Sequence, residues 1–267
     1  MARNQVVVVY GPPNVGKSAI VASVCAHISM GLPISDRKTK RAGVIYNAAE
    51  DAAGILDRLY PVRLKRDDEA AKVLVRAGGL NLTDADACKS YIRGVQGFQK
   101  AGVLPERVIH VFDTLTLCLG DGDENSSRDV GVAMKNAHNI VEHTNGTALI
   151  VHHAALEKDR PRGSSALTGN ADTVLYVSAG ETAQDGQATA LISPAKQRSM
   201  KKGHRIVFGL EDFTVGEDED GDVRTIPMAV PFGDQVVAEP VGRAPAKAPA
   251  SPDLTAQRIA DVVEVLG

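Results

Sequence analysis

The chain has 267 residues and a net charge of −3, a size that can bury a full core and that predicts one globular domain with appendages. The balanced charge weakens the case for a nucleic-acid-binding protein without excluding DNA binding, because a ring of subunits can concentrate a few basic loops in its channel. The lack of tryptophan argues against a platform on which single-stranded bases stack. The longest apolar runs are strand-sized, so we expect a cytoplasmic protein with reduced cysteines, no signal peptide and no membrane span.

The first predicted element is a buried β-branched strand over 6–10 that leads into a loop of the form GxxxxGKS. The loop residues are Gly11, Pro12, Pro13, Asn14, Val15, Gly16, Lys17 and Ser18. The backbone N–H groups of such a loop, together with the N-terminus of the helix that follows it, bind phosphates. We expect Lys17 to reach the β- and γ-phosphates and the Ser18 hydroxyl to ligate Mg²⁺. The pattern therefore predicts a nucleotide-binding P-loop.

The second predicted strand, over 42–47, is followed by Glu50 at the edge where open α/β sheets bind ligands. Glu50 is either a catalytic acid or an acidic cap on the helix predicted over 52–60. Asp51 fits the capping role better, which favours Glu50 for chemistry.

A third strand over 71–76 and a helix over 83–99 precede an apolar strand that ends in Asp113. Such a strand downstream of a P-loop is typical of the Walker B element, whose carboxylate can hold the water shell of Mg²⁺ beside the P-loop hydroxyl. The polar segment 120–128 is too acidic to clamp phosphate, and we expect Ser127 to cap the next helix.

The next predicted strand, over 147–153, ends in His152 and His153, level with Asp113. One histidine can contact the γ-phosphate or its attacking water, and the alternative is a buried pair at a strand end. The Gly/Ser-rich basic loop that follows predicts contacts with a phosphate backbone, although it is equally typical of a solvated surface loop. Its candidate DNA-binding residues are Lys158, Arg160, Arg162, Gly163, Ser164 and Ser165.

Two further strands, 173–177 and 189–193, flank a turn, and the second leads into Lys196 and Arg198. Alternation in an extended chain places these two cations on one side. Ring ATPases use such a pair as a finger that enters the neighbouring subunit's site and stabilises γ-phosphate charge, with rate effects of about 10³-fold or more. The alternative is a surface basic cluster.

The composition changes after a predicted hairpin over 204–232. We predict a nucleotide-binding domain over 1–238, an Ala/Pro-rich linker over 239–252 and an amphipathic helix over 253–267. A helix of that length is marginally stable alone, so we expect it to dock on its own core, a neighbouring subunit or another protein.

Together these motifs resemble the RepA-type branch of the RecA-like hexameric replicative helicases, over roughly 6–205. The matching segments are Gly11 to Ser18, Val44 to Asp51, Val111 to Leu115, His152 to Ala154 and Arg162 to Ser165. The resemblance implies a RecA-like α/β ATPase core, with a mainly parallel central sheet flanked by helices and with C-terminal antiparallel strands. Segment 195–198 is similar to the finger segment of DnaB-family helicases, and a phage or plasmid origin suits such a compact replication protein.

The resemblance also implies roles for the candidate residues. ATP and Mg²⁺ are the cofactors, Glu50 polarises the attacking water, and Asp113 is the Walker B acid. His153 or His152 senses the γ-phosphate, and the two cations of the finger act in trans within a homo-oligomer, a hexameric ring. The loops after Asp113 and His153 face single-stranded DNA in the channel. The implied function is an ATP-driven DNA motor of replication.

Two other classes of function stay open. One is an accessory ATPase that binds or loads on DNA in replication or recombination without unwinding it. The other is a small-molecule kinase, against which stand the finger candidate and the lack of an evident arginine-rich lid.

Overall fold

The computed structural model describes residues 4–64, 72–156, 160–183, 186–197, 205–217 and 220–232. Its strands are β1 (Val6–Gly11), β2 (Gly43–Ala48), β3 (Val73–Ala77), β4 (Val108–Asp113), β5 (Gly146–His153), β6 (Thr173–Ala179), β7 (Ala188–Gln197), β8 (Ile206–Glu217) and β9 (Val223–Pro231). Its helices are α1 (Lys17–Met30), α2 (Ala52–Leu64), α3 (Ala85–Lys100), α4 (Leu115–Cys118), α5 (Ser127–His143) and α6 (Ala166–Asn170).

The described strands form a single sheet in the order β3-β2-β4-β5-β1-β6-β7-β8-β9. The six strands from β3 to β6 in this order are parallel, and β7, β8 and β9 add antiparallel pairs at one side. This arrangement confirms the predicted fold class, a mainly parallel sheet flanked by helices with C-terminal antiparallel strands.

The central strand β1 shows why an uninterrupted run of valines lies in the middle of the sheet. Val7 and Val9 belong to the core on the side of α1 and α2, whereas Val6 and Val8 belong to the core on the side of α3 and α5. Each of these valines is at most 2% exposed. Parallel strands covered by helices on both faces need apolar residues at consecutive positions, and burial of each such side chain stabilises the fold by about 1.5 kcal/mol or more.

The strand register brings the candidate site residues to one edge of the sheet. Gly11 lies opposite His153 in the β1–β5 pair, and Ala48 lies opposite Asp113 in the β2–β4 pair. After β1 the chain continues to β2 on one side of β1, and after β5 it continues to β6 on the other side. The direction in which strands are added to the sheet therefore reverses beside the P-loop. Ligands of open α/β sheets bind at such a reversal, at the carboxyl ends of the strands.

Two predictions about helix caps have different outcomes. The N–H of Gly54 donates to Asp51 Oδ1 at 2.7 Å, so Asp51 caps α2 as predicted. The prediction that Ser127 caps the next helix is wrong, because Ser126 Oγ accepts the N–H of Asp129 at 3.2 Å and Ser127 is already helical.

Several predicted features lie outside the described residues. These are the linker 239–252, the helix 253–267, Lys158 and Arg198. In the part of the chain that the structure describes, no helix is both long and apolar enough to cross a membrane.

Candidate active site

The P-loop lies between β1 and α1, and its backbone requires glycine at both ends. Gly16 has φ +87°, and a Cβ at Gly11 would lie 2.3 Å from the carbonyl oxygen of Val177 in β6. Glycine adopts such a φ and permits such an approach without steric cost. The helix that begins at Lys17 therefore starts directly above the end of the central strand, with its N–H groups at the edge of the sheet.

The Lys17 ammonium lies in this loop among polar groups. Its Nζ donates to the carbonyl oxygen of Pro12 at 2.7 Å, and the residue is only 7% exposed. Burial lowers the pKa of Lys17, while the nearby carboxylates of Asp113 and Glu50 act in the opposite direction. The ammonium is thus held between the loop and the two acids predicted to act with it.

Asp113 ends β4 inside the core, at 4% exposure. The hydroxyl of Tyr46 donates to its Oδ2 at 2.6 Å, while its Oδ1 is buried and has no hydrogen-bond partner among the described residues. Burial raises the pKa of Asp113, and the hydrogen bond from Tyr46 and the nearby Ser18 hydroxyl oppose that rise. Tyr46 keeps its proton, since burial and the carboxylate raise its pKa well above the usual value.

These groups fit a magnesium ion. An unpartnered carboxylate oxygen beside a serine hydroxyl supplies the hard oxygen ligands that Mg²⁺ prefers, with water and phosphate oxygens completing its shell. No cluster of three or more His, Cys, Asp or Glu side chains that could hold a metal ion occurs among the described residues, so a dedicated metal cage is not found there.

Glu50 lies near Asp113 and Lys17 and is more exposed to solvent than either of them. Its side chain is 49% exposed, and its Oε1 accepts a hydrogen bond from the buried Thr114 hydroxyl at 3.1 Å. His153 Nε2 is 3.8 Å from the same oxygen, which is longer than a direct hydrogen bond. Burial and the charge of Lys17 lower the pKa of His153, so this histidine is neutral at pH 7.

The two histidines point to different places. His152 is fully buried, and its Nε2 donates to the carbonyl oxygen of Arg162 at 3.0 Å, so it anchors the loop that follows β5. Burial lowers the pKa of His152 as well. Of the two sensor candidates, only His153 faces Glu50, and His152 fits the alternative of a buried strand-end histidine.

We use the name loop pair for two segments: 119–126, which follows α4, and the described residues 154–156 and 160–165, which follow β5. One Glu124–Arg162 ion pair joins them, with Nε–Oε1 at 2.5 Å and Nη2–Oε2 at 3.0 Å. The Thr116 hydroxyl also donates to Glu124 at 2.7 Å. Although burial acts to raise it, these hydrogen bonds hold the pKa of Glu124 below its usual value.

The other candidate DNA-binding residues extend this contact. Gly163 has φ +79°, and a Cβ there would lie 2.4 Å from the carbonyl oxygen of Glu124. The Ser164 N–H donates to the same oxygen at 2.8 Å. Ser165 precedes the first turn of α6, and Arg160 is exposed. The acidic and basic segments of the loop pair are far apart in the sequence but are packed together in the fold.

The candidate finger is described only in part. Lys196 Nζ donates to the carbonyl oxygens of Thr168, Ala171 and Gly169, at 2.5, 2.9 and 3.3 Å. These carbonyls lie in and just after α6, where a cation satisfies groups that the helix leaves unpaired. The role of Lys196 in trans stays a prediction, and it would require the ammonium to leave these partners.

Sequence reasoning missed Tyr46 and Thr114 as contributors to the predicted nucleotide site and Glu124 as a contributor to the loop pair. Thr114 could have been found, because it directly follows the Walker B acid. Tyr46 lies two residues before Ala48, the strand partner of Asp113, so its role depends on a strand register that its own segment does not give. Nothing in the local pattern around Glu124 points to an arginine 38 residues away.

Comparisons with known proteins agree with this fold. The sequence profile of a family described as an AAA domain, AAA_25, matches residues 1–159. Among solved structures, the chain is similar to one described as an ATPase domain, with a TM-score of 0.55 and 14% identity, over 78% of this chain and 82% of that one. No curated protein matched the sequence. The family match and the shared fold support the resemblance to RepA-type and DnaB-type RecA-like proteins.

Proposed function

Because this chain belongs to the AAA domain family AAA_25 and has a RecA-like ATPase fold, we propose that it is an ATP-hydrolysing motor of the helicase type that acts on single-stranded DNA in replication. The observation that carries the proposal is the position of Glu50. Asp51 takes the capping role, so Glu50 is left beside Lys17 and Asp113 with one oxygen held by Thr114. A carboxylate oriented in this way beside a P-loop can activate water.

The proposed reaction uses the side chains described above. A bound Mg²⁺ would supply positive charge that offsets the charge developing on the phosphates. Ser18 and Asp113 would hold it, and Lys17 adds a positive charge from the loop side. Glu50 accepts a hydrogen bond from the attacking water, orients it in line with the γ-phosphate and takes its proton. The neutral His153 is close enough to Glu50 to respond to a change at that carboxylate.

The proposal for DNA rests on where the loop pair begins. Its first segment is joined to the strand that ends in Asp113 through the short helix α4, and its second follows the strand that ends in His153. The N–H of Arg162 donates to the carbonyl oxygen of His153 at 3.0 Å. A change at the nucleotide therefore has a short path to the basic loop. We extend the proposal to a hexameric ring in which Lys196 and Arg198 complete the neighbouring site and DNA phosphates contact the loop.

Glu50→Gln tests the catalytic part, with Asp51→Asn as its matched control. Glu50→Gln should bind ATP normally and lose about 100-fold or more of its turnover, because the amide cannot take a proton. Asp51→Asn removes a neighbouring charge but keeps a good capping residue, so its turnover should stay within about twofold of the parent. Steady-state phosphate release measures both. Normal turnover in Glu50→Gln would contradict the assignment.

The DNA part is tested by the ATPase rate with and without single-stranded DNA, on samples whose oligomeric mass is recorded at the same concentration. We expect stimulation by DNA in a ring-sized species, followed by strand displacement. A monomer that is indifferent to DNA would contradict the motor. A ring that binds DNA without displacing a strand would favour the accessory ATPase, a candidate supported by the pairing of Arg162 with Glu124.

A further inference from the structure

We propose that Tyr46 is the positioning residue of the magnesium site, which holds the Asp113 carboxylate through one oxygen so that the other is presented to the ion. The inference rests on the proposed function, because it concerns the same bound Mg²⁺ and nucleotide. The Tyr46 hydroxyl donates to Oδ2 at 2.6 Å, and Oδ1 is the buried oxygen without a partner among the described residues.

The register of two neighbouring strands brings these side chains together. Tyr46 lies opposite Val111 in the β2–β4 pair, and Asp113 is two residues further along the partner strand, on the same face. A diagonal neighbour at that offset is within reach of a long aromatic side chain. Tyr46 is fully buried and packs in the core beneath α1, so its ring has one position from which to reach the acid.

The chemistry of the donor explains why a tyrosine suits this position. A buried carboxylate with no donor at all is costly, whereas a lysine or arginine partner would neutralise the charge that attracts the cation. A phenol hydroxyl donates a short, charge-assisted hydrogen bond and leaves the negative charge in place. Tyr46 therefore fixes the orientation of Asp113 without competing with Mg²⁺ for its charge.

A second tyrosine, partly buried, provides a control on the opposite face of the sheet. The Tyr91 hydroxyl contacts His110 Nδ1 at 2.9 Å and receives the side-chain N–H of Asn47 at 3.3 Å. Tyr91 packs against the cores on the side of α3 and α5, whereas Asp113 takes its tyrosine hydrogen bond from Tyr46. Removal of the Tyr91 hydroxyl repeats the chemical change at Tyr46 at a distance from the metal site.

The experiment compares Tyr46→Phe and Tyr91→Phe in the full chain, with fluorescent N-methylanthraniloyl ADP as the probe. Mg²⁺ is titrated at a fixed nucleotide concentration, and binding is measured again in EDTA. For Tyr46→Phe we expect the Mg²⁺ concentration at half-saturation to rise about tenfold, because a hydrogen bond to a charged group is lost. Binding in EDTA should stay within about twofold, and saturating Mg²⁺ should restore kcat with ATP.

Tyr91→Phe should lower the melting temperature and leave the Mg²⁺ half-saturation point unchanged. Equal Mg²⁺ half-saturation in the parent, Tyr46→Phe and Tyr91→Phe would overturn the positioning role, as would a loss of binding in Tyr46→Phe that is the same with Mg²⁺ and with EDTA. A parent chain that binds no ADP with or without Mg²⁺ would instead overturn the proposed function, and this inference with it.

Discussion

The nucleotide edge is the site formed by Lys17, Glu50, Asp113 and Thr114 at the carboxyl ends of the parallel strands. It and the loop pair both contain acids beside basic side chains, but they differ in how fully these groups are paired. At the nucleotide edge, Asp113 keeps a buried oxygen without a partner among the described residues, and Glu50 accepts from the Thr114 hydroxyl. In the loop pair, both oxygens of Glu124 are bound by Arg162. Unpaired buried groups are costly and persist where a ligand completes them. The nucleotide edge is therefore built to receive a ligand, whereas the loop pair must break a contact before Arg162 can bind a phosphate.

The largest difference between the two regions is expected in ATPase kinetics when a threonine that donates to an acid is replaced by valine in each. Thr114→Val removes the donor to Glu50, so kcat should fall on the order of 30-fold with KM for ATP nearly unchanged, since hydrogen bonds to charged groups are the strong ones. Thr116→Val removes a donor to Glu124 and should leave the basal ATPase rate close to that of the parent. Steady-state kinetics separates the two, and similar losses in both variants would break the distinction.

A fully paired buried cluster away from both regions gives the next largest effect. His110 Nδ1 and Nε2 contact the hydroxyls of Tyr91 and Thr144 at 2.9 and 2.8 Å, and burial lowers the pKa of His110 to about 3. An unfolded histidine binds a proton below about pH 6.5 and the folded one does not, so the free energy of unfolding should fall by about 1.4 kcal/mol per pH unit as pH drops from 6.5.

Urea denaturation between pH 7 and pH 5 measures this slope. His110→Gln should make the free energy of unfolding less dependent on pH in this range. The control His143→Gln, at an exposed position on α5, should leave the slope as in the parent. Identical slopes in all three proteins would show that the buried cluster does not govern the acid side of the stability curve.

The smallest expected effect concerns the loop pair itself. Glu124→Gln removes the charge that holds Arg162, so affinity for single-stranded DNA should rise about threefold at fixed salt. Asp121→Asn removes the same charge from an exposed position in the same segment, and the Glu124–Arg162 ion pair stays in place. Fluorescence anisotropy with a labelled oligonucleotide compares them. Equal gains in the two variants would mean that net charge, rather than release of Arg162, sets the affinity.

The sequence predicts well those features that depend on neighbouring residues. The valine run, the glycines of the P-loop and the helix from Lys17 form one continuous segment, so their structure follows from local rules, and the strand that ends in Asp113 is read from its own apolar pattern. The fold class follows because such strands alternate with helices.

The remaining contacts depend on register and on long-range packing. The Tyr46–Asp113 bond joins residues 67 apart, and the Thr114–Glu50 bond joins residues 64 apart. Neither can be derived before the strand order is known. The wrong cap differs by one residue, Ser126 instead of Ser127, because two adjacent serines offer the same hydroxyl and only the backbone geometry selects between them.

The hydrogen bonds of Lys196 connect the end of β7 to α6. The ammonium at the end of β7 binds three carbonyl oxygens in and after α6, and α6 begins where the basic segment of the loop pair ends. A displacement of that segment must either stretch these hydrogen bonds or carry the end of β7 with it. Force applied by a polymer at the loop would thus be delivered to the antiparallel side of the sheet, on the far side of β1 from the strand that presents Asp113.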